Sequence, residues 1–590
     1  MGDFRIGPDR PTPDEEAAVA AAVAGVRADR AFGERLVRGG LHAAHEQRHR
    51  LLPALHALQA SVGWISPGAV NHLAETLGVA PAEIHGVATF YDLFSTSPPP
   101  DDAPLVRVCV DPACRVAGGV DEARRLEASG ARVVTGPCLG RCEQAPATWT
   151  QIRRPAAPGD PTAGRVPLGD DDPTDRGRPP VPQVGSPDLR LLRRVGHVDP
   201  DSLADHERHG GWQALRRAVG LGPDAVCDEL EAARLAGRGG AGFPTGRKWR
   251  AVRAAPARSR RHLVVNIDES EPGTFKDRVL VTHDPYQLVE AALLAAWATG
   301  AEQGWFYVRG EYPLTAERLA AALDSCRDAG WLGDDVGGLG FAFDAEVRQG
   351  AGAYICGEET ALFASLEGFR GEPRVKPPYP TTHGLFGEPT VVNNPETLVA
   401  ALDIVRQGAD RTIAVGTPEA PGTKLFSVAG RVAEPGVFEV PFGTTLGDLI
   451  ELAGGTTGEP GPVLLGGAAG SFVGPDEFDL PLAPDAVRAA GATLGSGAVT
   501  VFGADDDMAD VVTRISAFFR HESCGQCVPC RVGTVRQHEA VVRLVEGRAR
   551  PGDDEILADV DAVMTDASIC GLGQTAAAAV RSALARGLVG

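Results

Sequence analysis

The chain has no apolar run long enough to span a bilayer; a long one, VEAALLAAWATGA at 289–301, reads as a buried helix. Its opening, MGDFRIGPDRPTPDEE, lacks a basic stretch followed by an apolar one, so no secretory signal is read there. Position 6 is Ile, not the Ser or Thr of a myristoylation motif. These absences lead to the expectation of a cytoplasmic protein with no direct membrane span. Positive charge is short as well. Lys and Arg number 57 against 78 Asp and Glu, a net charge of −21. Such a balance argues against non-specific binding to nucleic acid or to anionic membrane. One stretch, HLAETLGVAPAEIHGVATF (72–90), has the rhythm of a helix-turn-helix. Residues 62–97 contain no Lys or Arg, while Glu75, Glu83 and Asp92 are acidic, which is wrong for a DNA-binding regulator. Tandem repeats of 20–50 residues are also missing.

What is present points to an α/β multidomain protein. Its 590 residues exceed one hydrophobic core. Residues 1–97 read as a helical segment and 98–152 as a compact α/β module with cysteines at strand ends. Residues 153–187, rich in Pro, Gly and Asp, read as a linker or extended arm. Residues 188–420 form the largest α/β unit, 421–503 a small β-grasp-like domain, and 504–590 a helical domain.

The eleven cysteines, an odd count in a chain without an export signal, do not suggest a disulfide framework. Eight fall into two groups with ligand-like spacing. Cys109-x4-Cys114 and Cys138-x3-Cys142 place two thiolate pairs on two loops. This suits a [2Fe–2S] cluster better than zinc knuckles, although zinc or no metal remains open at this level. Cys524, Cys527 and Cys530 at x2 spacing, closed by the distant Cys570, suit a [4Fe–4S] cubane, with zinc the rival. Cys227, Cys326 and Cys356 read as small buried apolar residues.

Gly237-Arg238-Gly239-Gly240-Ala241-Gly242 satisfies G-x-G-x-x-G. A Rossmann turn needs a strand before it, whereas DAVCDELEAARLAG (224–237) has a helical rhythm. The glycines are therefore a Gly-rich turn or a phosphate cradle of another kind, with Arg238, Arg247 and Lys248 nearby. VVNIDESEPGTFKDR (264–278), GAYICGEET (352–360) and VNNPET (392–397) add acids, amides and aromatics in further loops.

In this order GRGGAGFPTGRKW, NIDESEPGTFKDR, GAYICGEETA, VNNPET and ESCGQCVPCR resemble the flavin-bearing NADH-oxidising subunit of respiratory complex I and its relatives, over roughly 190–590. Those relatives include hydrogenase diaphorase subunits and the β-subunits of molybdenum-dependent, NAD-linked formate dehydrogenases. HALQASVGWISPGAV and GVATFYDLF resemble the family's partner, a helical segment joined to a thioredoxin-like [2Fe–2S] ferredoxin. The resemblance implies a Rossmann-like FMN domain, a β-grasp insert and a C-terminal helical bundle, with FMN, [2Fe–2S], [4Fe–4S] and NAD(H) as cofactors. By resemblance, Gly237, Arg238, Gly239, Gly240 and Lys248 would cradle the FMN phosphate. Asn266, Asp268, Glu269, Ser270, Tyr354, Gly357, Glu358, Glu359, Asn393, Asn394 and Thr397 would contact the flavin. Phe275 and Tyr379 would stack on NADH rings, and Glu271 and Lys376 would hold its polar parts. Ile267, Tyr379, Pro395 and Gly571 depart from the commonest family residues, and none removes a ligand.

No general acid or base is evident, and hydride transfer to flavin requires none. The chain shows no molybdopterin, nickel–iron or quinone site. The resemblance thus implies a hetero-oligomer with a catalytic α-subunit carrying further iron–sulfur clusters and a molybdenum or tungsten cofactor. The fused layout resembles formate dehydrogenase and hydrogenase more than complex I, and Asn266-Ile267-Asp268-Glu269 resembles formate dehydrogenase β-subunits, so NAD-dependent formate dehydrogenase is expected, with hydrogenase diaphorase and complex I as alternatives. A scaffold with dead motifs is the bland rival.

Overall fold

The computed structural model describes residues 6–25, 47–100, 103–155, 160, 162–169, 177–256 and 260–589. The expectations for 1–5, 26–46 and the rest of the 153–187 segment lie outside these. Among the described residues, four α-helices lead: Pro13–Gly25, Leu51–Val62, Pro67–Leu77 and Pro81–Ala88. Ser66 caps the third by accepting from Ala69 N, and Pro67 occupies the first turn, where no N–H is needed.

A three-stranded sheet follows, in the order β2-β1-β3. β1 (Leu105–Cys109) runs parallel to β2 (Arg132–Gly136) and antiparallel to β3 (Thr148–Gln151). Cys109 ends β1, Cys114 lies in the short helix Pro112–Val116, and Cys138 and Cys142 lie after β2.

The central sheet is wholly parallel, in the order β6-β5-β4-β7. Its strands are β4 (His262–Ile267), β5 (Gln303–Val308), β6 (Asp344–Gln349) and β7 (Thr390–Asn393). The apolar run Leu263-Val264-Val265 is buried, as a strand covered on both faces requires. The chain builds outward from β4 through β5 to β6, then returns to β4's other side. That reversal opens a crevice beyond the carboxyl ends of β4 and β7, where ligands of such sheets bind.

β8 (Thr423–Gly430), β9 (Gly436–Pro441), β10 (Pro460–Leu465), β11 (Ser471–Val473) and β12 (Ala498–Gly503) form a separate sheet ordered β11-β10-β12-β8-β9. It has its own core, including Phe426, Phe438, Leu449, Val463 and Val501. The C-terminal unit is helical: Met508–Glu522, Val528–Val545, Asp553–Ala567, Gly571–Thr575 and Ala578–Ala585.

One continuous apolar core runs from Ala18 through the first sheet and the central sheet to Val580. The N-terminal module is therefore packed into the rest, not tethered to it. Arg514 pairs with Asp111 at 2.7 Å, Arg115 with Asp510, and Arg278 with Glu143. The described parts of 153–187 are also more than a linker. Val166 N donates to Gln349 Oε1 at 2.8 Å. Val437 N donates to the Pro180 carbonyl at 2.8 Å, and Gln183 makes hydrogen bonds with both backbone groups of Glu439. The segment thus covers the open edge of β9. Its Pro content removed periodicity from the sequence without removing contacts.

Candidate functional site

The glycine loop lies between two helices, Pro223–Ala232 and Thr245–Arg253, so it is not a Rossmann turn. It reaches the mouth of the crevice. There a cleft of about 400 Å³ is lined by Gly239, Gly240, Asn266, Asp268, Glu269, Ser270, Glu271, Tyr354, Gly357, Glu358 and Asn394. Eleven of the expected contact residues, drawn from four separate loops, thus meet at one cavity.

The loop after β4 is fixed by its own side chains. Asn266 donates to the Gly357 carbonyl at 2.9 Å and accepts from Asp268 N at 3.1 Å. Glu269 accepts from Thr274 Oγ1 and from Asp277 N and Arg278 N at 2.9–3.0 Å, capping the helix Lys276–His283. Burial and then the neighbouring Asp277 push its carboxyl up to about 7. Glu271 accepts from Tyr354 Oη at 2.6 Å and from Ala469 N at 2.9 Å, and burial pushes it up to about 7. Glu358 caps the helix Glu359–Leu366, accepting from Thr360 N and Ala361 N. Lys376 donates to Glu358 at 2.9 Å and to Glu359 at 2.7 Å. Asn394 accepts from Glu396 N at 2.9 Å and donates to Asp277. Pro395 is the first residue of the helix Pro395–Gln407, so its ring disturbs nothing. Gly240 has φ of +117°, a conformation that favours glycine.

Several expected contacts fall elsewhere. Phe275 is fully buried, its N–H donating to Ser427 Oγ, so it offers no face for an NADH ring. The Arg238 guanidinium is buried 4.5 Å over the Phe442 ring; only its backbone, donating to Thr397 Oγ1 at 2.8 Å, supports the loop. Lys248 donates to the Val392 carbonyl at 3.1 Å and does not line the cleft. Asn393 is buried, accepting from Trp249 Nε1 at 2.8 Å. Gly237, Glu359, Thr397, Lys376 and Tyr379 also stand outside the lining. Tyr379 is exposed, and so is Phe243 of the glycine loop, an aromatic that the motif reading passed over.

Sequence reasoning also missed Asp277 and the far wall, where Gly466, Ala469, Thr493, Gly495 and Ser496 come from the second sheet's domain and Gly571, Leu572 and Thr575 from the C-terminal one. One signal was available. Only four of the 57 cationic residues are lysines: Lys248, Lys276, Lys376 and Lys424. Arg and Lys are not interchangeable at tight sites. Lys276 is buried between Asp277 at 2.8 Å and Glu396 at 3.0 Å, and Lys424 lies 3.9 Å from Glu396.

The first cysteine group is buried. Cys138 Sγ lies 3.4 Å from Cys142 Sγ, and Cys109 contacts Cys114 and Cys138. Tetrahedral zinc, with Zn–S of about 2.3 Å, needs every sulfur pair roughly 3.8 Å apart. Among the described residues, the only three His, Cys, Asp or Glu ligand atoms mutually within 4.8 Å belong to Asp92, His521 and Glu522. Neither cysteine group closes around a single ion. The first is an open chain of sulfurs, suited to two irons. The second group lines one cavity with Ile355, Ile569 and Leu572. Ile355 and Leu572 also line the cleft, so the two cavities share a wall. Cys227, Cys326 and Cys356 are buried.

The cleft's lining fits a flavin. Asp268 and Ser496 both line it, and each carries a buried oxygen, Oδ2 and Oγ, without a hydrogen-bond partner beside it. Gly239 and Gly357 bring bare backbone against the same space.

Comparison with known proteins agrees. Residues 230–403 match the Nuo51 FMN-binding domain and 510–586 the NADH-ubiquinone oxidoreductase-F iron-sulfur binding region. Residues 39–153 match the thioredoxin-like [2Fe-2S] ferredoxin, and 425–467 an SLBB domain. An NADH-quinone oxidoreductase subunit of Aquifex aeolicus (strain VF5) is 40% identical over 412 residues, 69% of this chain and 95% of that protein. NADP-reducing hydrogenase subunit HndC of Solidesulfovibrio fructosivorans is 38% identical, covering 66% of this chain and 79% of that one. The structure of an NAD+-reducing [NiFe]-hydrogenase in the H2-reduced state superposes with a TM-score of 0.77 at 35% identity, covering 91% of each chain. With its FMN, [2Fe–2S] and [4Fe–4S] domains in one polypeptide, the chain belongs to the family of NADH-oxidising FMN and iron–sulfur subunits found in complex I and NAD-reducing hydrogenases.

Proposed function

We propose that this chain is the NADH:acceptor (diaphorase) subunit of a multi-subunit enzyme, exchanging hydride with NAD(H) and single electrons with its clusters. Bound FMN would supply the conversion between two-electron and one-electron transfer. The observation that carries the reading is the cleft itself, which shares the Ile355 and Leu572 wall with the Cys524, Cys527, Cys530 and Cys570 cavity. The chain's own part is positioning. Asn266 and Glu269 hold the β4 loop, Glu358 and Lys376 the facing loop, and Glu271 bridges to Ala469 across the cleft. Gly239 and Gly240 offer backbone N–H groups to a phosphate. FMN-loaded chain should reduce ferricyanide with NADH; flavin-loaded protein inert toward NADH would overturn the reading.

The partner we favour is a formate dehydrogenase α-subunit with a molybdenum or tungsten cofactor, on the strength of the Asn266-Ile267-Asp268-Glu269 run, since the fused layout is common to formate dehydrogenases and hydrogenases. A hydrogenase partner is the second reading, supported by the likeness over 91% of both chains to an NAD+-reducing [NiFe]-hydrogenase. Metal analysis of the native complex separates them: molybdenum or tungsten for the first, nickel for the second, neither for a complex I-type assembly.

A further inference from the structure

The rest of the lining around Cys524, Cys527, Cys530 and Cys570 is largely apolar, with Ile355, Pro373, Ile569 and Leu572. Among the described residues of that lining, Ser523 carries the only hydroxyl, and Gln526, the other side chain able to donate, is exposed. Ser523 is half-buried and follows directly on the helix Met508–Glu522, in an extended conformation with φ of −64° and ψ of 118°. Cys530 is buried in the first turn of the next helix, Val528–Val545. The Ser523 Oγ stands 3.3 Å from the Cys530 Sγ.

The sulfurs of this group are served by different donors. Cys570 Sγ accepts from the Leu572 and Gly573 N–H groups, and Cys524 Sγ from the Gln526 N–H. Those donors are backbone, placed by the same loops that place the cysteines. At Cys530 the partner is a side chain instead. In the metal-free chain either atom of that pair can give the proton. A cysteine bound to iron is a thiolate and has no proton left. The Ser523 O–H is then the donor and the sulfur the acceptor, which makes the hydrogen bond charge-assisted.

Such a bond is not equally strong in the two redox states. Taking up an electron adds negative charge to an iron–sulfur unit, and part of it falls on the cysteine sulfurs. A donor on a sulfur therefore stabilises the reduced form more than the oxidised one, most of all in apolar surroundings. Ile355 and Leu572 supply those surroundings on the side that faces the flavin cleft.

We propose that the Ser523 hydroxyl donates a hydrogen bond to the Cys530 thiolate and raises the reduction potential of the [4Fe–4S] cluster, so that the cluster takes single electrons from the cleft more readily. This rests on the cluster and flavin reading above. Ser523 binds no iron; it is a positioning residue that acts through Cys530. No proton moves when the electron enters: the O–H stays on Ser523 while its bond to sulfur strengthens.

The test uses the full chain with both clusters and FMN. Redox titration followed by electron paramagnetic resonance gives a midpoint for each cluster. In Ser523→Ala the ratio of reduced to oxidised [4Fe–4S] cluster at a fixed potential should fall about tenfold, which for one electron is a midpoint about 59 mV more negative. The [2Fe–2S] midpoint should stay in place. Ser523→Thr, which keeps the hydroxyl, should hold the ratio within about threefold of the natural chain. A [4Fe–4S] midpoint unchanged in Ser523→Ala, or shifted equally in Ser523→Ala and Ser523→Thr, overturns the proposal. So does a parallel shift of both clusters, which would report a general change in the chain. If Ser523→Ala does not hold its iron, the natural chain decides. Brief exchange into deuterium oxide labels a hydroxyl before hydrogen-bonded amides, and pulsed electron–nuclear spectra of the reduced [4Fe–4S] cluster should then show a coupled deuteron; its absence overturns the proposal. If the natural chain binds no [4Fe–4S] cluster, the cluster reading itself fails, and the proposal with it.

Discussion

Arg309 donates through Nη2 to the Cys138 carbonyl at 2.7 Å, and through Nη1 to the Glu269 carbonyl at 2.6 Å. One guanidinium thus ties the loop that carries Cys138 to the loop that lines the cleft, while Glu311 balances its charge. Arg309→Met would leave Glu311 buried without a partner, at a cost of about 3–5 kcal/mol. We expect a lower unfolding midpoint together with an altered [2Fe–2S] electron paramagnetic resonance signal. Arg309→Lys should not restore both, because an ammonium lacks the planar fork.

Lys276 is a second buried cation whose loss should be costly. It sits between Asp277 and Glu396 at 2.8 and 3.0 Å, without solvent exposure. Lys276→Met leaves Asp277 with Asn394 alone and Glu396 with the more distant Lys424 and the Leu425 N–H, and should destabilise the chain by about 3 kcal/mol in denaturant unfolding. A variant of natural stability would show that these remaining partners suffice.

The pH dependence of the flavin-free chain follows from Glu271. Its carboxyl is raised by burial from 4.5 to about 7, so the folded state keeps a proton that the unfolded chain releases. The stability it contributes is therefore complete below about pH 4.5 and is lost as pH rises through about 7, a change of about 3 kcal/mol. Glu269 is raised to about 7 as well and adds to the slope. The unfolding midpoint should fall between about pH 5 and pH 7.5. Glu271→Gln should fall less steeply; an unchanged slope would place the proton elsewhere.

Cysteine variants should separate the clusters. Cys570→Ser should remove the [4Fe–4S] signal and about four irons per chain while sparing the [2Fe–2S] signal. Cys114→Ser should do the reverse, with a loss of about two irons. Loss of both clusters in either variant would mean that the two sites do not assemble independently.

Much of the site could be read because its chemistry sits in short runs. NIDES and GEET each carry several contacts within one turn, and the cysteine spacings are local. Helix 223–232 before the glycines was visible in its rhythm and excluded the Rossmann turn. The rest depends on chain segments far apart in sequence. Ala469 and Ser496 approach the cleft from a different domain, and nothing in GGAAG or LGSG marks them. The burial of Phe275 and the turning away of Arg238 are decided by the packing of Ser427 and Phe442, more than 150 residues downstream. A motif specifies which residues approach a site, but tertiary packing decides which way each side chain faces.

The arm that covers β9 has a consequence for assembly. An open sheet edge is a template on which another chain can add a strand. Here Pro180 and Gln183 occupy the bonding groups of Val437 and Glu439 from within the same polypeptide. A partner subunit is thus denied strand addition at that edge and must recognise shape and side chains on another face. The same occupation guards the isolated chain against growing edge to edge before its partner arrives.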